Sequence, residues 1–290
     1  MPGGKGVNVA RALKSLGRPV IATGFAGGHT GARIVEQLTD EAILCDFVRI
    51  RQESRTSTAV VDPTSGEQTE INEHGPTVAE TELDLFVDKL LYLAKGAEIC
   101  VFSGSLPRGV DAGLYGQLVG ELRRLDVTTV LDCEGEPLRQ AVRAQPHVIA
   151  PNQNEAEELV GHEFADDEDR HNALPEMVAL GAGEAIMTLA DGCLALYGDE
   201  ADATRPRRLA RATLEPLEPV SSVGSGDAFL AGYVAGRYDG LSDEESLRFG
   251  VACGAESTQH FGAGVIDPRE VERLAADVAL ETLDAPALQV

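Results

Sequence analysis

The stretch VTTVLDCEGEPL, residues 127–138, is a short apolar run that closes in a polar, glycine-containing turn and leads into a helical segment. The same order recurs along the chain. PVIATGFAG (19–27) is a buried-strand run ending in glycines, followed by the helical TGARIVEQL (30–38). EICVFSGS (98–105), HVIAPN (147–152) and EAIMTLA (184–190) are further short runs, most of them leading into amphipathic stretches. Strand-then-helix alternation of this kind predicts an α/β fold with a mostly parallel sheet and helices on both faces. Ligands of such sheets bind beyond the carboxyl ends of the strands, where the polar residues of these runs fall.

One stretch breaks the rhythm. RTSTAVVDPTSGEQTEINEHGP (55–76) reads as two strands joined across Asp62–Gly66. Antiparallel strands can leave one face open, so this hairpin is either a flap over a cleft or a surface decoration. Near the start, VNVARALKSLG (7–17) sets Val9, Ala10, Leu13 and Leu16 at helical spacing and ends on Gly17, a good residue just past a helix. After Arg273 the chain reads as a short helix and a loose end. No internal repeat, low-complexity tract or long linker divides the sequence, so a single domain over 1–290 is expected.

Composition narrows the function classes. The chain is 43% hydrophobic and 25% charged, and no apolar run approaches the ~20 residues of a membrane span. It starts without an apolar leader, and its five cysteines lack a Cys-x-x-Cys pair; both features predict a cytoplasmic protein with reduced thiols. Acidic residues number 48 against 24 basic ones, a formal net charge of −24. Lysine occurs only at positions 5, 14, 89 and 95. Such self-repulsion is relieved when the ~10 Å Debye length of 0.1 M salt shrinks at molar salt. A halophilic protein of a saline cytosol fits this balance; an ordinary acidic enzyme is the plainer alternative. Either way, nucleic acid and anionic membranes are disfavoured as partners.

Four stretches could carry chemistry. In PVSSVGSGDAFLAGYVAG (219–236), Gly224, Ser225 and Gly226 form a turn and Asp227 opens a helix with Phe229, Leu230, Tyr233 and Val234 on its apolar face. A glycine turn feeding a helix N-terminus makes an anion site. An Asp there either complements the helix dipole or takes a proton from a hydroxyl beside a phosphoryl group. In IAPNQNEAEELVG (149–161), Asn152 and Glu155 stand three apart at a strand-to-helix junction. They are either oxygen ligands for Mg²⁺ or the two halves of a capping box. The opening turn, with Gly3, Gly4, Lys5 and Asn8, could hold a polyol. It fails as a dinucleotide fingerprint, because Val9 stands where Gly or Ala is needed and no strand precedes it. VFSGSLPRG (101–109) places Ser103, Gly104 and Ser105 at a strand end, suited to hydroxyl or phosphate contacts.

Taken in order, these stretches resemble the ribokinase-like (PfkB) family of sugar kinases, from Pro2 to about Pro268. GGKGVNVARALKSLG (3–17) is similar to that family's first signature, SSVGSGDAFLAGYVAG (221–236) to its second, and PNQNEAEEL (151–159) to its Asn-x-x-Glu magnesium motif. The resemblance implies a three-layer α/β/α fold. GGKG, SGSLPRGV, LDCEGEPL and the 55–76 hairpin resemble the branch that phosphorylates ketohexose phosphates, the 1-phosphofructokinase and tagatose-6-phosphate kinase branch. For that branch the implied activity is ATP-dependent phosphorylation with Mg²⁺, and fructose 1-phosphate is the favoured substrate; tagatose 6-phosphate and fructose 6-phosphate are the alternatives.

Carried over, Asp227 is the base, and the amides of Gly224, Ser225 and Gly226 hold the transferred phosphoryl. Asn152 and Glu155 position Mg²⁺. Gly4 and Asn8 hold sugar hydroxyls, and Arg55 and Ser105 meet the phosphate already on the sugar. Thr188, Gly192, Gly224, Gly226 and Gly254 fall near the nucleotide. The hairpin at about 55–74 becomes a lid that pairs with a second subunit, giving a homodimer.

The departures are three. Ala150 replaces a Lys usual before the Pro-Asn pair, TLADGC (188–193) is a residue short, which blurs the roles of Thr188 and Gly192, and the family's first strand, with its sugar-binding Asp, is missing ahead of the opening turn. A start set too far downstream is the favoured explanation. A shortened relative that binds sugar phosphate without turnover is the other.

Overall fold

The computed structural model describes residues 1–61, 68–198 and 205–283. In chain order the elements are α1 (Lys5–Ser15), β1 (Ile21–Ala22), β2 (Phe25–Gly27), α2 (Gly28–Asp40), β3 (Leu44–Cys45), β4 (Val48–Ile50), β5 (Ser57–Val61), β6 (Gln68–Asn72) and α3 (Glu80–Ala94). They continue as β7 (Ile99–Ser103), α4 (Leu114–Arg124), β8 (Thr128–Asp132), α5 (Gly135–Val142), β9 (Val148–Ile149), α6 (Gln153–Val160), α7 (Asp167–Ala179) and β10 (Glu184–Leu189). The last are β11 (Gly192–Tyr197), β12 (Arg208–Thr213), α8 (Ser225–Tyr238), α9 (Asp243–Ser257), α10 (Pro268–Asp277) and β13 (Ala279–Leu283).

The main sheet runs β13-β12-β11-β10-β9-β8-β7. From β7 to β10 every pair is parallel; from β10 to β13 every pair is antiparallel. Neighbouring residues on the parallel strands point to opposite cores. Leu131, Ile149 and Met187 pack with residues of α3 to α7, whereas Val130, Val148 and Ile186 pack with residues of α1, α8, α9 and α10. Side chains alternate across a strand, so these strands are apolar at consecutive positions because both faces are covered. The result is the expected three-layer α/β/α sandwich.

Two sequence expectations change. The run 19–27 breaks at Thr23-Gly24 into β1 and β2, each pairing in parallel with its own partner, β3 and β4. The tail is not loose throughout: α10 ends at Asp277, and β13 then adds an edge strand through Leu209↔Leu283 to Thr213↔Ala279. Leu280 packs partly on the core beneath it, which local propensity gave no sign of. The hairpin forms as β5 and β6, antiparallel from Ser57↔Asn72 to Val61↔Gln68. Its turn at Asp62–Gly66 and the tail beyond Leu283 lie outside the described residues.

Candidate active site

Four parallel strands deliver their last residues to one place. Ser103 ends β7, Asp132 ends β8, and Asn152 follows β9 and bridges to Thr188 of β10. The N-termini of α1, α6 and α8 converge on the same edge through Lys5, Glu155 and Asp227.

The charges interlock. Lys5 Nζ lies 3.1 Å from Asp132 Oδ1 and 3.4 Å from Glu155 Oε1. Ser103 Oγ donates to the other Asp132 oxygen at 2.8 Å. Burial works against the Lys5 charge, yet the two carboxylates hold its ammonium above the ordinary lysine value. Glu155 is buried, and that desolvation moves its carboxyl up despite the Asn152 amide and Lys5. Asp227, also buried, sits at the start of α8 and accepts a 2.8 Å hydrogen bond from Asn8 Nδ2. Desolvation raises its pKa to about 7; the Asn8 bond opposes that rise and Asp132 adds to it. A carboxylate that titrates near neutrality is suited to general-base work, because it is both ionised and basic enough at that pH.

The turn before α8 is held by an unusual backbone. Gly224 caps the helix at φ 82°, a left-handed conformation costly for residues with a Cβ. The Ser225 amide turns back to the Ser222 carbonyl at 3.3 Å. Gly226 and Asp227 lie in the first turn, whose N–H groups have no acceptor within a helix. Gly254 of α9 packs against this turn: a Cβ there would lie 3.3 Å from the Ser225 carbonyl oxygen.

Asn152 and Glu155 form a reciprocal capping box. Asn152 Oδ1 accepts from the Glu155 amide at 3.0 Å, and Glu155 Oε2 accepts from the Asn152 amide at 2.9 Å. One oxygen of Glu155 is thereby committed, while Oε1 faces Lys5. Among the described residues no group of three or more His, Cys, Asp or Glu is arranged to hold a metal by itself. Glu155 Oε1 and the Asp132 carboxylate nevertheless offer the hard oxygen donors that Mg²⁺ prefers, and Mg²⁺ commonly keeps several waters and few protein ligands.

Of the residues expected from the sequence, Gly4, Asn8, Asn152, Glu155, Thr188 and the turn 224–227 gather at this edge. Gly4, Arg55 and Ser105 line one cavity of about 840 Å³, together with Lys5 and Ser103. Gly192 has a packing reason for being glycine: a Cβ would sit 2.0 Å from the Ala212 carbonyl oxygen on β12. Asp132 has no role expected from the sequence, and Lys5 and Ser103 are expected only as parts of turns. The available signal for Asp132 is an acidic residue closing an apolar strand run.

The chain is similar to several known kinases. The chain is 30% identical over 282 residues to a 1-phosphofructokinase of Borreliella burgdorferi, covering 97% of this chain and 88% of that protein. It is 32% identical over 275 residues to a tagatose-6-phosphate kinase of Staphylococcus epidermidis, covering 94% and 86%. The solved structure of Escherichia coli phosphofructokinase-2 in complex with potassium superposes with a TM-score of 0.87 at 30% identity, covering 95% of this chain and 87% of that one. Residues 1–269 match the pfkB family of carbohydrate kinases. This match shows that the chain belongs to the pfkB family of carbohydrate kinases, with ATP the phosphoryl donor that membership implies.

Proposed function

We propose that this sugar-phosphate kinase phosphorylates fructose 1-phosphate to fructose 1,6-bisphosphate. The observation that carries the mechanism is Asp227, buried beside Asn8 at the N-terminus of α8 with its carboxyl raised to about 7. Asp227 takes the proton of the acceptor hydroxyl; that oxygen bonds to the γ-phosphorus, the bond to the bridging oxygen breaks, and ADP leaves. First-turn amides around Gly226, with the turn Gly224-Ser225, hold the transferred phosphoryl. Lys5, already set among Asp132 and Glu155, supplies positive charge beside it. Mg²⁺ neutralises charge on the phosphates when bound, and Glu155 and Asp132 are the residues that would hold it with its waters. Asn8 Oδ1 is buried without a hydrogen-bond partner, an acceptor that a sugar hydroxyl would satisfy.

Arg55 and Ser105 share the cavity wall with Gly4 and suit the phosphate on the substrate, Arg through its bidentate fork. Arg55→Ala is expected to raise KM for the sugar phosphate at least tenfold while KM for ATP stays within about twofold. An equal rise in both constants removes Arg55 from the sugar site. Val60 and Ile71 stand 53% and 60% exposed on the lid strands, which supports pairing of the lid with a second copy in a homodimer.

Removing the Asn8 amide deletes a bond that favours the charged form of Asp227. In Asn8→Ala the acidic limb of kcat/KM is therefore expected to move to higher pH by about one unit, alongside a loss in rate. An unmoved limb would mean that Asn8 does not tune the base.

The substrate assignment is tested by ADP release in molar KCl with Mg-ATP, comparing fructose 1-phosphate, fructose 6-phosphate and tagatose 6-phosphate. A kcat/KM at least tenfold higher for fructose 1-phosphate is expected. Preference for either 6-phosphate moves the assignment to that sugar, and turnover of none favours a binding protein.

A further inference from the structure

The cavity of about 840 Å³ carries a charge balance opposite to that of the chain. The sequence has 48 acidic residues against 24 basic ones, yet among the described residues that line the cavity Glu98 is the one carboxylate. Basic side chains run along its length, and two of them are already paired: Lys5 with Asp132 and Glu155, and Arg18 with Asp239. Around the end that holds Ser105 stand Arg55, His74 and Arg108, all exposed. Among the described residues their side chains have no hydrogen-bond or ion-pair partner. In a chain so rich in carboxylates, a wall that gathers three unpaired basic groups and no acid is a well of positive potential, which concentrates anions.

Three separate segments bring these side chains together. Arg55 precedes β5, His74 follows β6, and Arg108 lies in the loop between β7 and α4. Thr77 is the joint. Its amide donates to Gln52 Oε1 at 2.8 Å, three residues before Arg55, and its backbone bridges in parallel to Arg108. Gly109 packs on the same joint, where a Cβ would lie 3.7 Å from Thr77 Cγ2. The loop that carries Arg108 leaves β7 at Ser103, whose hydroxyl donates to Asp132, and then passes Ser105. One wall is therefore made by the ends of the β5-β6 hairpin and the other by the β7–α4 loop. Each wall offers an arginine.

That arrangement matches one chemical group. A phosphate dianion has three terminal oxygens, more than a single guanidinium fork engages. Arginines from two walls fill it, whereas a plain hydroxyl in the same place leaves both without an anion.

We propose that Arg108 is a specificity-determining residue of this site. With Arg55, and with the His74 imidazole as a further N–H donor, it grips the phosphate already on the ketohexose and selects phosphorylated over plain ketohexoses. The assignment rests on the placement of that phosphate between Arg55 and Ser105 given above.

The test is steady-state kinetics of Arg108→Ala, Arg108→Lys and Lys14→Ala in molar KCl, on the best-used ketohexose phosphate and on plain fructose. Lys14 lines the same cavity from α1 and controls for loss of a positive charge as such. Molar salt shortens the Debye length to ~3 Å, so long-range attraction is screened and KM reports contact. A charge-assisted hydrogen bond is worth at least about tenfold in affinity. Arg108→Ala is therefore expected to raise KM for the sugar phosphate at least about tenfold. KM for ATP and kcat/KM for plain fructose should stay within about twofold. Arg108→Lys should recover part of the loss, because it keeps the charge without the fork, and Lys14→Ala should match the parent. Arg108 is exposed, so Tm should hold in every variant at this position. A sugar-phosphate KM within about twofold of the parent in Arg108→Ala overturns the proposal, as does an equal rise in KM for ATP. Calorimetric titration with fructose 1-phosphate in the absence of ATP separates this proposal from the kinase reading. If no sugar is turned over, a Kd raised at least about tenfold by Arg108→Ala still supports the grip. An unchanged Kd, or no binding by the parent, overturns it.

Discussion

Asp227→Asn is expected to lower kcat by at least ~10²-fold, the usual loss on removing a general base, with ATP affinity nearly unchanged. The same substitution should make the protein more stable at pH 8. Asp227 has an ordinary pKa of 3.8 in an unfolded chain and about 7 in the fold, with desolvation the largest cause. Between those values the folded state holds a proton that the unfolded state has released, so stability falls as pH rises through that window. The destabilisation is absent below about pH 4 and complete above about pH 7 to 8. At 1.36 kcal/mol per unit it amounts to on the order of 4 kcal/mol at most. Asparagine carries no charge to desolvate and keeps the volume. Its Tm should therefore exceed that of the parent by several degrees at pH 8 and match it near pH 4. Calorimetric scans at the two pH values, with ADP release at pH 7.5, decide this. Undiminished turnover would remove Asp227 from the base role; a lower Tm at pH 8 would mean that its charge is stabilised rather than strained by its surroundings.

Gly224→Ala is expected to cost about 3 kcal/mol of stability and at least tenfold in kcat. The left-handed φ alone accounts for ~1–2 kcal/mol. The new methyl would stand 2.4 Å from Ala263 Cβ and 2.9 Å from Ala263 Cα, so the rest is overpacking. Relief requires the 262–264 loop to move. That loop is tied to the site: Arg11 Nη1 donates to the Ala263 carbonyl at 2.6 Å, and Gly264 fits so closely that a Cβ there would lie 2.7 Å from the Asn8 carbonyl oxygen. Any shift would pass to the Asn8–Asp227 pair. Gly226→Ala separates folding from chemistry. A Cβ at Gly226 meets nothing within 4 Å and its φ is ordinary, so Tm should hold or rise. A fall in activity there without loss of Tm would show that a phosphate must approach the Gly226 backbone. Denaturant titration and steady-state kinetics on both variants provide the readout; an unaltered Tm in Gly224→Ala would contradict the contact with Ala263.

Residue order by itself determined the alternation of strands and helices, because runs such as 127–132 and 147–152 are apolar at consecutive positions and end in polar turns. It also exposed the glycine turn before Asp227, the Asn152/Glu155 pair and the hairpin, since each is local in sequence. Only the tertiary structure decided what depends on distant partners. The Asn152–Glu155 box is a helix cap in the fold, and Lys5, 127 residues from Asp132 and 150 from Glu155, is what ties that cap to the charge cluster. Asp227 reaches a near-neutral pKa because the fold removes it from water and sets Asn8, 219 residues away, against it. The antiparallel half of the sheet and β13 were hidden because edge strands follow from pairing partners rather than from local propensity.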